Sequence, residues 1–144
     1  MKRVLAVFLL AAAAGHAQQP ALPRVELGAG MHVIRAEVAD HDASRAIGLM
    51  YRSALAPNGG MLFVFDETSV HCMWMKNTLL PLSVAFIDEG GTILNIADMK
   101  PQTEDSHCAA RPARYALEMA QGWFAARGIR AGFRLRGLDQ LKPR

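Results

Sequence analysis

The sequence lacks the short motifs that mark common enzyme and nucleic-acid-binding classes. It contains no Gly-x-Ser-x-Gly nucleophile elbow, no His-Glu-x-x-His zinc motif and no glycine-rich phosphate loop. It has no helix-turn-helix or zinc-finger spacing and no basic cluster interleaved with aromatic residues, so we expect no nucleic-acid partner. The 144 residues, 51% hydrophobic and 20% charged, have the composition of one ordinary globular domain.

Long apolar runs are also scarce, and the run at residues 4–14 has eleven residues. Because a membrane-spanning helix needs about 20 residues, we expect no transmembrane segment after processing. Lys2 and Arg3 precede the run and small residues follow it, which is typical of a secretory signal peptide over residues 1–17. We therefore expect cleavage near Ala17 and a periplasmic or secreted protein.

The basic character of the chain is concentrated at its two ends. The formal net charge is +3, but the predicted signal peptide carries Lys2 and Arg3 and no acidic residue, so its removal leaves +1. From Arg127 onward six basic residues stand against Asp139 alone, which gives a local charge of +5. We interpret this end as an edge strand followed by a solvated basic tail over residues 139–144.

Cysteine is scarce as well, since Cys72 and Cys108 are the two in the sequence. In an exported protein an even pair is interpreted first as a disulfide. Each cysteine follows a histidine, His71 or His107, so a zinc or copper site is an alternative, and free thiols are a third.

Turn residues divide the rest of the chain into short elements. We predict an extended leader at 18–30, strands at 31–39, 61–65, 71–77, 83–87, 92–98, 114–119 and 133–138, a short helix from 42 to 50, and helical turns at 120–127. This pattern predicts a mainly β fold, an antiparallel β-sandwich or jelly-roll-like barrel with two short helices. The single domain is expected to span residues 31–138.

The segment 71–77 carries the side chains with the clearest binding chemistry. On a strand, Trp74 and Lys76 share one face, with Asn77 at the end of the strand. The pattern is typical of an indole packed against a disulfide. An alternative interpretation is a stacking wall with hydrogen-bond donors for an anionic or sugar-like ligand.

Three carboxylates, Asp88, Asp98 and Glu118, are candidates to join this segment at a site, and Arg52 is a candidate neighbour. Two carboxylates can act as general acid and base in glycoside chemistry, provided that their separation is suitable. Asp88 and Glu118 are therefore candidate ligand-binding residues and, alternatively, an acid–base pair.

A copper site is a further alternative. His71, Met73 and Met75 would share the opposite face of the same strand, and His107 is a fourth candidate ligand. Such soft ligands suit Cu(I) in an exported protein. Methionines also fill core space, and that interpretation remains open beside the first.

Several sequence blocks, in this order and with these spacings, resemble one family. They are Arg45-x-x-Gly48-Leu49-Met50-x-Arg52, Gly60-Met61-Leu62-Phe63-Val64-Phe65, Trp74-Met75-Lys76-Asn77-Thr78, Pro81-Leu82, Phe86-Ile87-Asp88, Leu117-Glu118, Gly122-Trp123, Gly128-Ile129 and Gly132. From about Val33 to Leu138 the chain resembles the family known as domain of unknown function 192.

The resemblance implies a small β-sandwich, jelly-roll-like domain that is often exported and has no established reaction. It implies no catalytic residue. Family members usually carry an aromatic residue at the position of Met73, which favours core packing over copper, and an Asp at the position of Ser83. The cysteine pair is not general in the family and looks like an adaptation to export.

We therefore expect a non-enzymatic exported domain that binds a small polar or saccharide-like ligand, or another envelope component, through Trp74, Lys76 and Asn77. The alternatives are a hydrolase or lyase acting on an envelope saccharide, and periplasmic copper handling. We expect no bound cofactor, and we expect a monomer.

Overall fold

The computed structural model describes residues 18–141, so the predicted signal peptide over residues 1–17 and residues 142–144 lie outside the described part. The strands are β1 (Arg24–Ala29), β2 (His32–Ala39), β3 (Gly59–Ser69), β4 (Cys72–Met73), β5 (Leu82–Ile87), β6 (Ile93–Met99), β7 (His107–Cys108) and β8 (Ala113–Ala120). One α-helix, α1, covers Asp42–Ile47, and 3-10 turns cover Ala125–Arg127 and Leu138–Gln140. None of the helices within residues 18–141 is long and apolar enough to cross a membrane.

Six strands form one mixed sheet in the order β1-β2-β3-β8-β5-β6. Its pairs are antiparallel except β2 with β3, which run parallel because α1 and the loop after it carry the chain back before β3 begins. β4 and β7 form a separate two-stranded sheet. The C-terminal segment bridges both edges of the large sheet, pairing Arg136 with Gly28 of β1 and Arg134 with Thr92 just before β6.

The large sheet is buried on both faces. β5 illustrates this, because its six residues, five apolar ones and Ser83, are all buried. On one face Leu62 and Leu117 pack with Phe124 and Leu135 from the C-terminal part of the chain.

The opposite face of the sheet supports the smaller elements. Phe63 and Phe86 project from β3 and β5 and pack against Leu49, which follows α1. Met75 and Ala109 cover the same face from beside the two-stranded sheet. The result is a sandwich-like arrangement, with the six-stranded sheet on one side and α1, its following loop and β4–β7 on the other.

The structure confirms the mainly β, sandwich-like fold. The strands predicted at 31–39, 83–87 and 92–98 correspond to β2, β5 and β6 within one or two residues. Within residues 18–141 the strands do not close into a barrel, and the β2–β3 pair is parallel.

The sheet begins earlier than the sequence analysis predicts. Residues 18–30, expected to be an extended leader, contain β1, which pairs with β2 along six residues. Val25, Leu27 and Ala29 alternate with more exposed residues and enter the core, so the segment has the period of a half-buried strand. The predicted strand at 133–138 contributes isolated bridges instead of a regular strand.

The predicted strand at 71–77 is shorter than expected, because β4 ends at Met73. After it the chain turns: Asn77 has a φ of 53°, and the Thr78 N–H donates to the Met75 carbonyl at 3.1 Å. Strand alternation therefore does not govern the side chains beyond β4.

A disulfide joins Cys72 of β4 to Cys108 of β7, which confirms the first interpretation of the cysteine pair. The two residues stand directly opposite each other in the β4–β7 register. The bond leaves neither cysteine as a free thiol or a metal ligand. It fixes the strand that leads directly into Trp74.

Candidate functional site

Glu118 is a carboxylic acid in the middle of the large sheet. β8 lies between β3 and β5, where Glu118 stands opposite Met61 on one side and Val84 on the other. The residue is 3% exposed, and no group within residues 18–141 forms a hydrogen bond with its carboxyl. Burial raises the pKa of Glu118 to about 8, so the carboxyl is mainly protonated at neutral pH.

A narrow cavity of about 30 Å³ connects Glu118 with the exposed indole of Trp74. We call it the Trp74–Glu118 cavity. Its lining residues are Arg45, Ala46, Ile47, Gly48, Leu49, Met50, Phe63, Met73, Trp74, Thr78 and Glu118. At the mouth Trp74 is 46% exposed and Ile47 is 37% exposed. The cavity therefore has an apolar mouth and a carboxyl group at its base.

The wall formed after α1 depends on a tight turn at Gly48, which has a φ of 52°. A Cβ at this position would approach the Phe63 ring to 3.1 Å, so a side chain here would press into the cavity wall. The Gly48 carbonyl accepts a hydrogen bond of 2.7 Å from the buried Gln19 side chain. The N-terminal part of the described chain thereby holds the end of α1 in place.

The opposite wall comes from the turn after β4. The Tyr51 N–H donates to the Asn77 carbonyl at 2.9 Å, which ties the loop after α1 to this turn. Both residues have left-handed backbone conformations, which are uncommon outside glycine. Thr78 is buried, and its hydroxyl donates to the Lys76 carbonyl at 3.1 Å. The two walls are thus one connected unit.

The structure brings Trp74, Lys76 and Glu118 into one region but gives Asn77 a different position. The Lys76 Nζ lies 5.3 Å from the centroid of the Trp74 ring, a cation–π distance. Lys76 and Asn77 do not line the cavity in the described part of the chain. Asn77 serves the turn through its backbone.

Arg52 is held elsewhere, by Glu37 of β2. Its two terminal nitrogens donate to the two Glu37 carboxylate oxygens at 2.6 and 2.9 Å. Burial alone would raise the pKa of Glu37. Hydrogen bonds from Arg52 and from the Leu22 N–H outweigh this effect and hold the pKa below its usual value. This pair connects the loop after α1 to the sheet and leaves Arg52 away from the Trp74–Glu118 cavity.

Asp88 is not brought to Glu118. It lies in the β5–β6 turn, where its carboxylate accepts a hydrogen bond of 2.8 Å from the Thr92 N–H. The residue of β5 opposite Glu118 is Val84, four positions before Asp88, which is about 13 Å along a strand. That spacing exceeds the roughly 5–10 Å found between paired glycosidase carboxylates. Asp98 is likewise engaged, by the Ser83 hydroxyl at 2.6 Å.

The four residues considered for copper are separated by the early end of β4. The His71 ring stacks on Phe65 with 3.7 Å between centroids, while Met75 is fully buried in the core. Met73 lines the cavity, and His107 pairs with it across the small sheet. Within residues 18–141 no three or more His, Cys, Asp or Glu side chains are grouped to hold a metal ion.

Sequence reasoning did not identify Gly48, Met50, Phe63 and Thr78 as lining residues. They come from the loop after α1, from β3 and from the turn after β4, and only the folded chain brings them together. The sequence does contain one indication of the cavity. Glu118 interrupts the apolar end of β8, and an acidic residue is unusual in a central strand.

Two solved structures are similar to this chain. A protein of Sinorhizobium meliloti 1021, proposed to be a transcription regulator, is 41% identical with a TM-score of 0.74, and the match covers 79% of this chain and 92% of that one. A protein of unknown function from Novosphingobium aromaticivorans DSM 12444 is 33% identical with a TM-score of 0.76, covering 80% and 86%. No match was found among curated proteins.

The family comparison covers most of the described chain. Residues 25–137, from the second residue of β1 to the segment after β8, match the model of the DUF192 family, Uncharacterized ACR. This range contains every residue that lines the Trp74–Glu118 cavity. The chain belongs to the DUF192 family.

Proposed function

We propose that this protein is an exported ligand-binding domain whose binding site is the Trp74–Glu118 cavity. The polar group of a small ligand bonds to the Glu118 carboxyl at the base, and the rest of the ligand lies against Trp74. The observation that carries the proposal is a carboxyl group that is almost fully buried, has no hydrogen-bond partner within residues 18–141 and faces a cavity.

The energetic cost of Glu118 supports a functional role. Burial disfavours the ionised form of Glu118 and raises its pKa, so this residue destabilises the folded protein at pH values where the unfolded chain ionises it. An apolar residue at this position would extend the apolar face that already holds Phe63 and Ala116. A ligand that bonds to the Glu118 carboxylate stabilises the ionised form and so offsets this destabilisation.

The mouth of the cavity supports binding of a ligand with an apolar part. Trp74 and Ile47 expose apolar surface side by side, and aromatic side chains at a cavity mouth commonly provide contact area. The cavity, with a volume of about 30 Å³, is too small for a whole sugar ring. A saccharide would therefore stack on Trp74 and send one substituent inside.

Binding is favoured over acid–base catalysis because Glu118 is the one carboxylate among the described lining residues. The other ionisable lining residue, Arg45, is held by Asp42 and Asp66 at 2.6 and 2.7 Å. A two-carboxylate mechanism would need a second acid that the cavity does not contain.

Export and the absence of nucleic-acid binding complete the proposal. Two features fit an oxidising compartment outside the cytoplasm. They are the signal peptide expected over residues 1–17 and the disulfide between Cys72 and Cys108. The lack of a nucleic-acid partner in this proposal is supported by the helix content, since the six-residue α1 is the one α-helix within residues 18–141. A helix-turn-helix needs two packed helices.

A thermal-shift screen against amines, sugars, metal ions and cell-wall fragments tests the proposal. A ligand at about 100 times its Kd stabilises the folded protein by roughly 2.7 kcal/mol, which raises the Tm measurably. Trp74→Ala should abolish the shift, whereas Leu79→Ala, at a residue equally exposed at 46% but outside the cavity, should preserve it. A ligand that stabilises the wild type and Trp74→Ala equally would place binding elsewhere.

A further inference from the structure

We infer that the group entering the Trp74–Glu118 cavity is a primary ammonium at the end of an alkyl chain, paired with the Glu118 carboxylate. The inference rests on the proposed function, since it names the ligand class for the same cavity. The volume of the cavity, the charges around it and the side chains at its mouth each support it.

The small size of the cavity favours a compact end group. The cavity volume is about 30 Å³ and the cavity is open to solvent beside Trp74, so an ammonium can reach the Glu118 carboxyl. A guanidinium, a planar fork of four heavy atoms, needs more room at the same depth. The methylenes next to an ammonium can occupy the mouth beside Trp74 and Ile47.

The charges around the cavity leave Glu118 without a counter-ion. Arg45, which also lines the cavity, already contacts Asp42 and Asp66, and the three side chains together carry one net negative charge. The strands beside Glu118 present Met61 and Val84, which do not ionise. When Glu118 ionises, a ligand cation can pair with the carboxylate, and the hydrogens of that cation satisfy the carboxylate oxygens.

An ammonium of the chain itself lies beside Trp74, although Lys76 does not line the cavity. The Lys76 Nζ lies 5.3 Å from the centroid of the Trp74 ring, so this indole attracts such a group. A ligand ammonium passes the same indole on its way to Glu118. Because Lys76 carries a like charge, its replacement by Met should strengthen binding of a cation and weaken binding of an anion.

Binding is coupled to the release of a proton. In the free protein burial raises the pKa of Glu118 to about 8, so at pH 7 the carboxyl is about nine-tenths protonated. When the ammonium enters, the carboxyl proton leaves to solvent and the ion pair of carboxylate and ammonium remains. An alkylammonium stays charged throughout this range, as a lysine side chain does.

Isothermal titration calorimetry with n-butylammonium, 1-butanol and butyrate tests the inference, because the three probes share one chain and differ in the end group. We expect n-butylammonium to bind at least tenfold more tightly than either other probe. At pH 7, titrations in buffers of different ionisation enthalpy should report release of about one proton. Affinity should rise about 50-fold from pH 6 to pH 8, as the ionised fraction of Glu118 increases.

Two variants give the matched comparison. Glu118→Gln should abolish both binding of n-butylammonium and proton release, whereas Glu67→Gln, at an exposed carboxylate of β3, should change neither. Tighter binding of 1-butanol or butyrate than of n-butylammonium would overturn the ammonium inference and leave the proposed function standing. If no probe binds and no compound class raises the Tm in the thermal-shift screen, the proposed function fails with it.

Discussion

Replacing Glu118 by Gln should change how the stability of the protein depends on pH. The pKa of Glu118 is about 8 in the folded protein and 4.5, its ordinary value, in the unfolded chain. Between these values the folded state holds a proton that the unfolded state does not, so the stability falls as pH rises through the window. Linkage gives a loss of roughly 4 kcal/mol between about pH 5 and pH 8.5.

The measurement is urea unfolding followed by circular dichroism at about pH 5, 7 and 8.5 for wild type, Glu118→Gln and Glu67→Gln. Glutamine fills the same space and does not titrate, so Glu118→Gln should lack the loss, while Glu67→Gln should behave as the wild type does. Taking the difference between variants removes the contribution of every other titrating group. Parallel pH profiles for wild type and Glu118→Gln would refute the reasoning, because they would mean that Glu118 titrates alike in both states.

Two further predictions concern the supports of the site. Cys72→Ser/Cys108→Ser should lower the free energy of unfolding by about 4 kcal/mol on the chain-entropy model, and it should weaken ligand binding because β4 leads into the cavity wall. Urea unfolding of this variant checks the first effect, and an unchanged midpoint would contradict it. Arg52→Ala leaves the Glu37 carboxylate buried without its partner, which costs about 3–5 kcal/mol. Arg35→Ala, in an exposed ion pair, should cost under about 1 kcal/mol, and equal losses would refute the assignment.

Local sequence patterns were sufficient to predict the positions of several strands of the large sheet. β2, β5 and β6 are predictable because their apolar residues and bounding turns follow strand periodicity. β1 was missed although it alternates, because prolines and glycines around it suggested a leader. The parallel pairing of β2 with β3 depends on how the loop after α1 crosses the sheet, and no local pattern encodes that path.

The candidate site was predictable only in part, because its residues come from distant parts of the sequence. Trp74 and Glu118 were candidates by residue type, and the fold brings them to one cavity. Asp88 was an equally plausible carboxylate from the sequence. Only the register that places Val84 opposite Glu118 separates the two acids, and register is set by long-range pairing. Arg52 was also a candidate, and its ion pair with Glu37 is visible only in the folded chain.

Carbon-13 NMR of the Glu118 side-chain carboxyl, assigned by its loss in Glu118→Gln, tests the central claim most directly. The chemical shift followed against pH gives the pKa of this one group in the folded protein. We expect a value near 8 in the free protein, and a marked fall toward the ordinary value of 4.5 in saturating n-butylammonium. A carboxyl that titrates near 4.5 without ligand, or whose pKa does not respond to n-butylammonium, would contradict the account.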